Sequence, residues 1–373
     1  MESTITKDKL LFTPGPLTTS MGVKKAMLHD LGSRGIAFID AVKQVRSKLL
    51  HMAETSQETG YEAIIMQGSG TFGVESMITS GIAKDGHLLV IINGAYGDRI
   101  AKIADVNGIK KTVLKYSENQ WPSLQEVENT LSSDATISHV IIVHCETTSG
   151  IFNPIKETGA LAKKYGKTYM VDAMSSFGAV PVNVADCQID FLVSSSNKCI
   201  EGVPGFSFCI AKRDALMKTK GQSRTLSLDM FAQWEGLEQN GQFRFTPPTH
   251  AILAFHQAIV EHEAEGGVQG RAARYQHNYN TLMAGMRKMG FKEYLEPEKQ
   301  GYIISSFLYP EHPNFDFNTF YRLLNDKDFV IYPGKLSQAN AFRIGNIGQI
   351  FEQDILNLLE AIQQTIDEMG VSL

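Results

Sequence analysis

Asp172 and Lys198 stand out as the residues most out of keeping with their surroundings. Asp172 closes an apolar and aromatic run, TYMVD, and Lys198 ends a Ser-Ser-Ser-Asn-Lys turn that follows a second apolar run. Each reads as the end of a short buried strand, and ligands of an α/β sheet collect at the carboxyl ends of parallel strands. Taken singly, an Asp is most often a turn cap and a Lys a solvated loop charge. Presented together from neighbouring strands, they suit a cofactor with a basic ring nitrogen and an aldehyde. The carboxylate would keep the nitrogen protonated, and a desolvated amine has the lowered pKa that imine chemistry needs. Pyridoxal 5′-phosphate carries both groups.

Other segments can be tested against that idea. Gly68 to Gly73 (GSGTFG) is a literal G-x-G-x-x-G between a strand and a helix. A dinucleotide site would also need an acidic residue at the end of the next strand, and that strand ends on Asn93. What survives is a turn delivering backbone N–H groups and the Ser69 and Thr71 hydroxyls to one phosphate at a helix N-terminus. Tyr96, in NGAYG, would sit at the same end of the sheet, where a flat ring can stack on a flat cofactor. HCETTSG (144–150) ends an apolar strand in a polar cluster that is costly to bury unless engaged, and places Thr147 to bond a ring substituent. Arg343, in the apolar run AFRIG, offers a planar fork for carboxylate or phosphonate oxygens, or else an ordinary strand salt bridge.

These residues need a framework to hold them. Strands are expected at 63–66, 88–92, 112–115, 139–144, 168–172, 191–194 and 206–210. Helices are expected at 37–52, 71–80, 99–106, 124–131 and 155–165. The alternation predicts an α/β fold, a mostly parallel sheet covered by helices on both faces. After Ala211 the pattern loosens, Thr249 caps a long helix, and Gly266-Gly267 reads as its stop. Helices at 271–289, 318–324 and 349–369 and strands at 303–308, 329–331 and 342–344 then predict a smaller α+β unit. The expected division is an N-terminal segment 1–20, a large domain 21–266 and a small domain 267–373.

A chain of 373 residues, 43% hydrophobic, 20% charged and with a net charge of −5, has the composition of a globular protein. It gives no electrostatic reason to expect nucleic acid or an anionic membrane. Cys145, Cys187, Cys199 and Cys209 lack metal or disulfide spacing and read as buried thiols. With no signal-like or membrane-spanning run, the expected location is the cytoplasm.

Asp172 with Lys198, the GSGT turn, NGAYG, HCETTSG and AFRIG, in this order, resemble the class V, fold-type I pyridoxal-phosphate aminotransferases over essentially the whole chain. The segments FTPGPLTTS (12–20) and SSSNKCIEGVPGFSF (194–208) resemble more narrowly the branch that moves an amino group from 2-aminoethylphosphonate to pyruvate. The resemblance implies pyridoxal 5′-phosphate as cofactor. Lys198 would bond its aldehyde and shuttle a proton, Asp172 would pair with its ring nitrogen, and Tyr96 would stack on its ring. Ser69, Gly70, Thr71 and Asn197 would hold its phosphate, and Thr147 would bond its ring hydroxyl side. It further implies a homodimer in which Thr246 reaches the phosphate across the interface, and Arg343 as the substrate arginine. Arg34, in a loop that varies among relatives, is a candidate phosphonate contact, and Arg244 is another. Rival readings are alanine–glyoxylate and serine–pyruvate aminotransferases on the same scaffold. A cysteine desulfurase-type lyase would need a nucleophilic Cys downstream and His rather than Asn197 before the lysine.

Overall fold

The computed structural model describes residues 8–334, 336–337 and 339–373, so residues 1–7 of the expected N-terminal segment lie outside it. The apolar runs form one seven-stranded sheet. Its strands are β1 (Tyr61–Gln67), β2 (His87–Ile92), β3 (Lys110–Lys115), β4 (His139–Val143), β5 (Thr168–Asp172), β6 (Phe191–Ser195) and β7 (Phe206–Lys212). Across the sheet they run β1-β7-β6-β5-β4-β2-β3. β3, β2, β4, β5 and β6 are parallel neighbours. β7 is antiparallel to both β6 and β1, so the sheet is mostly parallel.

Successive side chains of a strand face opposite ways. Ala63 and Ile65 of β1 therefore join a core under the helices Ile36–Met52 and Thr249–Ala264. Ile64 and Met66 join the opposite core, under Gly70–Gly81 and Ala95–Val106. Both faces are covered, which is why β2, β4 and β6 are apolar or small at nearly every position and buried throughout. The edge strand β3 instead exposes Lys110 and Lys115, charges that discourage pairing with another chain.

A three-stranded antiparallel sheet of Ile304–Leu308, Ala341–Gly345 and Tyr332–Pro333 packs with the helices Gly267–Lys288, Phe317–Asp326 and Glu352–Glu368 around Phe307 and Phe342. The opening of the chain is tied to this part. Leu10–Leu11 pairs in parallel with Phe329–Val330, and Phe12 is fully buried in the same core. The first residues therefore are not loose from Leu10 onward.

Several element ends differ from expectation. The helix expected over 99–106 starts at Ala95, so Tyr96 lies in its first turn. Thr249 is the first helical residue rather than the cap, which is Pro248. Gly266 and Gly267, at φ 103° and 67°, turn the chain directly into the next helix, which begins four residues before the expected Arg271. The region after Ala211 is not loose: it holds the helices Arg213–Met217 and Met230–Asn240. The Asp229 side chain caps the second by accepting from the Ala232 N–H at 3.0 Å. No helix among the described residues is long and apolar enough to cross a membrane.

Candidate active site

β5 and β6 are parallel neighbours, with Asp172 opposite Val193, so Asp172 and the turn after β6 emerge at the same end of the sheet. A cleft of about 180 Å³ opens there, lined among others by Asp172, Lys198, Asn197, Ser69, Gly70, Thr71 and Tyr96. Four separate sequence motifs, those holding Ser69 to Thr71, Tyr96, Asp172 and Lys198, thus meet at one point. Arg99, Met174, Ser175 and Ser195 also line it, and the sequence reading passed over them.

Asp172 is 3% exposed and accepts the Met174 N–H at 3.0 Å. Burial pushes its carboxyl up to about 6, while the Met174 N–H and the charges of Arg99 and Lys198 pull it the other way. Desolvation lowers the Lys198 amine, with the surrounding Tyr96, Cys199 and Asp172 opposing the shift. The Lys198 ammonium donates to the carbonyl of Pro14. This is the reason FTPGP matters: Gly15, at φ +115°, lies so close that a Cβ there would come within 2.9 Å of Lys198 Cδ and the Asn197 carbonyl.

Ser69 is the N-cap of the helix Gly70–Gly81 in extended conformation, and its side chain makes no cap hydrogen bond, which leaves first-turn N–H groups for an anion. A Cβ at Gly70 would lie 2.6 Å from Met174 Sδ, so a larger residue there would have to displace the Met174 side chain at the cleft. Arg99 donates to Thr71 Oγ1 at 3.2 Å and places its guanidinium 4.8 Å from the centre of the Tyr96 ring.

Thr147 and Arg343 lie outside the lining of the cleft but adjoin it. Arg343 is 1% exposed; its Nη1 donates to the Thr147 carbonyl at 2.6 Å and its Nε to the Pro333 carbonyl at 3.1 Å. Desolvation lowers the guanidinium, and a hydrogen bond with Tyr96 is among the contacts that offset it. It forms no ion pair with a carboxylate among the described residues. Thr246 and Arg34 are exposed and do not line the cleft. Gln67 Nε2 donates to the Phe245 and Thr246 carbonyls at 3.0 and 3.2 Å, which fixes this segment beside β1. Arg244 bonds the Leu226 carbonyl at 2.9 Å and stays away from the cleft.

The turn carrying Lys198 is braced from behind. Glu201, 3% exposed, accepts from Arg274 Nη2 at 2.7 Å and from the Tyr275 hydroxyl at 2.5 Å, and lies 3.3 Å from Arg271 Nη1. Arg271 also bonds the Cys199 carbonyl at 2.6 Å. All four cysteines are buried, and burial raises each thiol's pKa.

A buried carboxylate that makes no ion pair among the described residues, a desolvated amine and a helix N-terminus without a side-chain cap meet in one cleft and fit the ring nitrogen, aldehyde and phosphate of pyridoxal 5′-phosphate. Fold and cleft together define a pyridoxal-phosphate-dependent transferase of fold type I. The sequence model of the aminotransferase class-V family matches residues 18–335. A 2-aminoethylphosphonate–pyruvate transaminase of Vibrio vulnificus is 51% identical over 359 residues, 96% of this chain and 97% of its own. One from Bacillus cereus is 51% identical over 358 residues, 96% and 98% of the two chains. Among solved structures, an alanine–glyoxylate aminotransferase from Nostoc superposes with a TM-score of 0.90 at 23% identity, covering 98% of this chain and 97% of its own. Pyridoxamine–pyruvate aminotransferase from Mesorhizobium loti gives 0.89 at 23% identity, covering 98% and 94%. The chain belongs to the class-V aminotransferase family, and it is a transaminase that uses pyridoxal 5′-phosphate.

Proposed function

We propose that this enzyme moves the amino group of 2-aminoethylphosphonate to pyruvate, giving phosphonoacetaldehyde and L-alanine. When bound, the cofactor supplies an electron sink and a temporary carrier for the amino group. The chain does the rest. Asp172 would hold the proton on the ring nitrogen, Tyr96 would stack on the ring, and Thr147 would bond its hydroxyl side. The helix N-terminus at Ser69, Gly70 and Thr71, with Asn197, would hold the phosphate. Lys198 Nζ would act as the general base and acid, taking the proton from the substrate carbon that bears nitrogen in one half-reaction and returning one to the keto-acid carbon in the other.

Arg343 supports the choice of substrates. Its guanidinium is buried, anchored by two backbone carbonyls, and paired with no carboxylate among the described residues. Its fork therefore has positive charge to offer a phosphonate in one half-reaction and the pyruvate carboxylate in the other. The roughly half identity with transaminases of this specificity supports the same reading. Buried cysteines with raised pKa values weigh against a desulfurase, which needs an accessible thiolate.

The reading includes a homodimer in the cytoplasm, with the domain division at residues 20 and 266 and Thr246 completing the partner's phosphate site. Supporting the dimer, Phe72, Leu226 and Phe245 are 52%, 74% and 44% exposed. They are linked through Gly68 against Phe72, Gln67 to the Phe245 carbonyl, and Arg244 to the Leu226 carbonyl. An apolar patch of this kind marks a contact surface. The test is a donor screen on the purified holoenzyme, following the cofactor's absorbance. 2-Aminoethylphosphonate should convert it fully while L-serine converts it slowly. A response to L-alanine and L-serine but none to 2-aminoethylphosphonate would replace this reading with an alanine–glyoxylate or serine–pyruvate activity.

A further inference from the structure

The helix Ala95–Val106 carries Tyr96 and Arg99 into the cleft, yet its own N-cap is Gly94, which has no side chain to cap it. The cap comes from another part of the chain. Thr148 Oγ1 accepts the Ala95 N–H at 2.8 Å and donates to Glu146 Oε1 at 2.6 Å. Glu146 Oε2 accepts the Gly97 N–H at 3.3 Å, and Oε1 also accepts the Thr148 N–H at 3.1 Å. Glu146 is fully buried and makes no ion pair among the described residues; burial pushes its carboxyl up to about 7, opposed by the hydrogen bonds from Thr148 and the Gly97 N–H of this helix. Between these two residues, the Thr147 carbonyl holds Arg343 at 2.6 Å. Gly94 is part of the same device, because a Cβ there would lie 2.3 Å from Glu146 Cδ.

We infer that Glu146 is a positioning residue: with Thr148 it caps the helix Ala95–Val106 across the chain, and this staple sets Tyr96 against the cofactor ring at a fixed place relative to Arg343. The inference rests on the transaminase reading for its consequence, but the cap itself does not depend on a cofactor.

Two measurements on the full-length protein decide it. In the cofactor-free chain, hydrogen exchange at the Ala95 and Gly97 amides should quicken about tenfold in Thr148→Val and in Glu146→Ala, the loss expected of a helix cap. In the holoenzyme, Glu146→Ala and Gly94→Ala should lose most of the circular dichroism of the bound cofactor's visible band, as Tyr96→Ala should. Glu146→Gln, which keeps one acceptor oxygen, should retain an intermediate signal. Adding Glu146→Ala to Tyr96→Ala should change little further, since both remove one effect. Thr148→Val keeps the shape of the site and guards against a variant that fails to fold. Unchanged exchange at Ala95 and Gly97 in folded Thr148→Val would overturn the cap. Faster exchange with wild-type dichroism in Glu146→Ala would overturn the positioning role. A wild-type chain that binds no pyridoxal 5′-phosphate would instead contradict the transaminase reading, with the exchange measurement still deciding the cap.

Discussion

The chemistry of the site is concentrated in a carboxyl and an amine whose environments push them toward their neutral forms. Burial raises the Asp172 carboxyl to about 6 in the cofactor-free chain. Pairing with a cationic ring nitrogen requires the carboxylate, so below that pH a proton must leave before the cofactor binds. Cofactor affinity should therefore be flat above pH 6 and fall about tenfold for each unit below it, as long as the carboxyl alone titrates. Titration of the apo-protein with pyridoxal 5′-phosphate at a series of pH values checks this; Asp172→Asn should bind more weakly at pH 7 and lose the inflection at 6. Asp172 and Lys198 were legible in the sequence because polar residues closing apolar runs have few places to go but a strand end. Arg99 was not, because the helix was read as starting at that residue rather than at Ala95, which hid its place one turn beyond Tyr96. Glu146 was not legible either, since nothing local distinguishes a Glu that caps a distant helix from a solvated one.

At the scale of elements, the turn bearing Lys198 is held by a buried ion cluster on the helix Gly267–Lys288. Arg271 and Glu201 are 1% and 3% exposed. Removing Arg271 takes one of two cations from Glu201, which keeps Arg274 and the Tyr275 hydroxyl. Arg271→Met should cost about 1–3 kcal/mol in urea unfolding, the cost of a lost buried hydrogen-bond partner. Glu201→Gln with Arg271→Met should cost less than the sum of the two single changes. If the single change cost under ~1 kcal/mol, the cluster would not be the brace described. The parallel strands and their helices were readable from alternating apolar runs and amphipathic stretches. The antiparallel direction of β7 was not, because an internal strand is apolar whichever way its neighbour runs. The helix Met230–Asn240 was missed for a related reason: it buries only Met230, Phe231, Gln233 and Leu237, so its apolar stripe is thin.

Across the whole molecule, stability and assembly follow from what the fold buries and what it leaves open. His139 is buried and its imidazole is pushed down to about 4 by desolvation. The unfolded chain takes up that proton near pH 6.5 and the folded chain does not, so its contribution is intact above 6.5 and is lost as the pH falls toward 4. His139→Gln should accordingly flatten the acid limb of a stability–pH curve by one proton, about 1.4 kcal/mol per pH unit. For the proposed dimer, light scattering should give twice the chain mass; a monomer with full activity would remove Thr246 from the phosphate site. None of this long-range arrangement was visible in local pattern, because the meeting of Leu10–Leu11 with Phe329–Val330, or of Arg343 with Thr147, depends on the completed fold.

The central claim is that Lys198, Asp172 and Arg343 pass nitrogen from a phosphonate amine to a keto acid. It is tested most directly by incubating the holoenzyme with 2-aminoethylphosphonate carrying labelled nitrogen and with unlabelled pyruvate, then following the label by mass spectrometry. The label should appear in L-alanine, matched mole for mole by phosphonoacetaldehyde, and should fail to appear with Lys198→Ala. Labelled ammonia in place of labelled L-alanine, or undiminished transfer by Lys198→Ala, would contradict it.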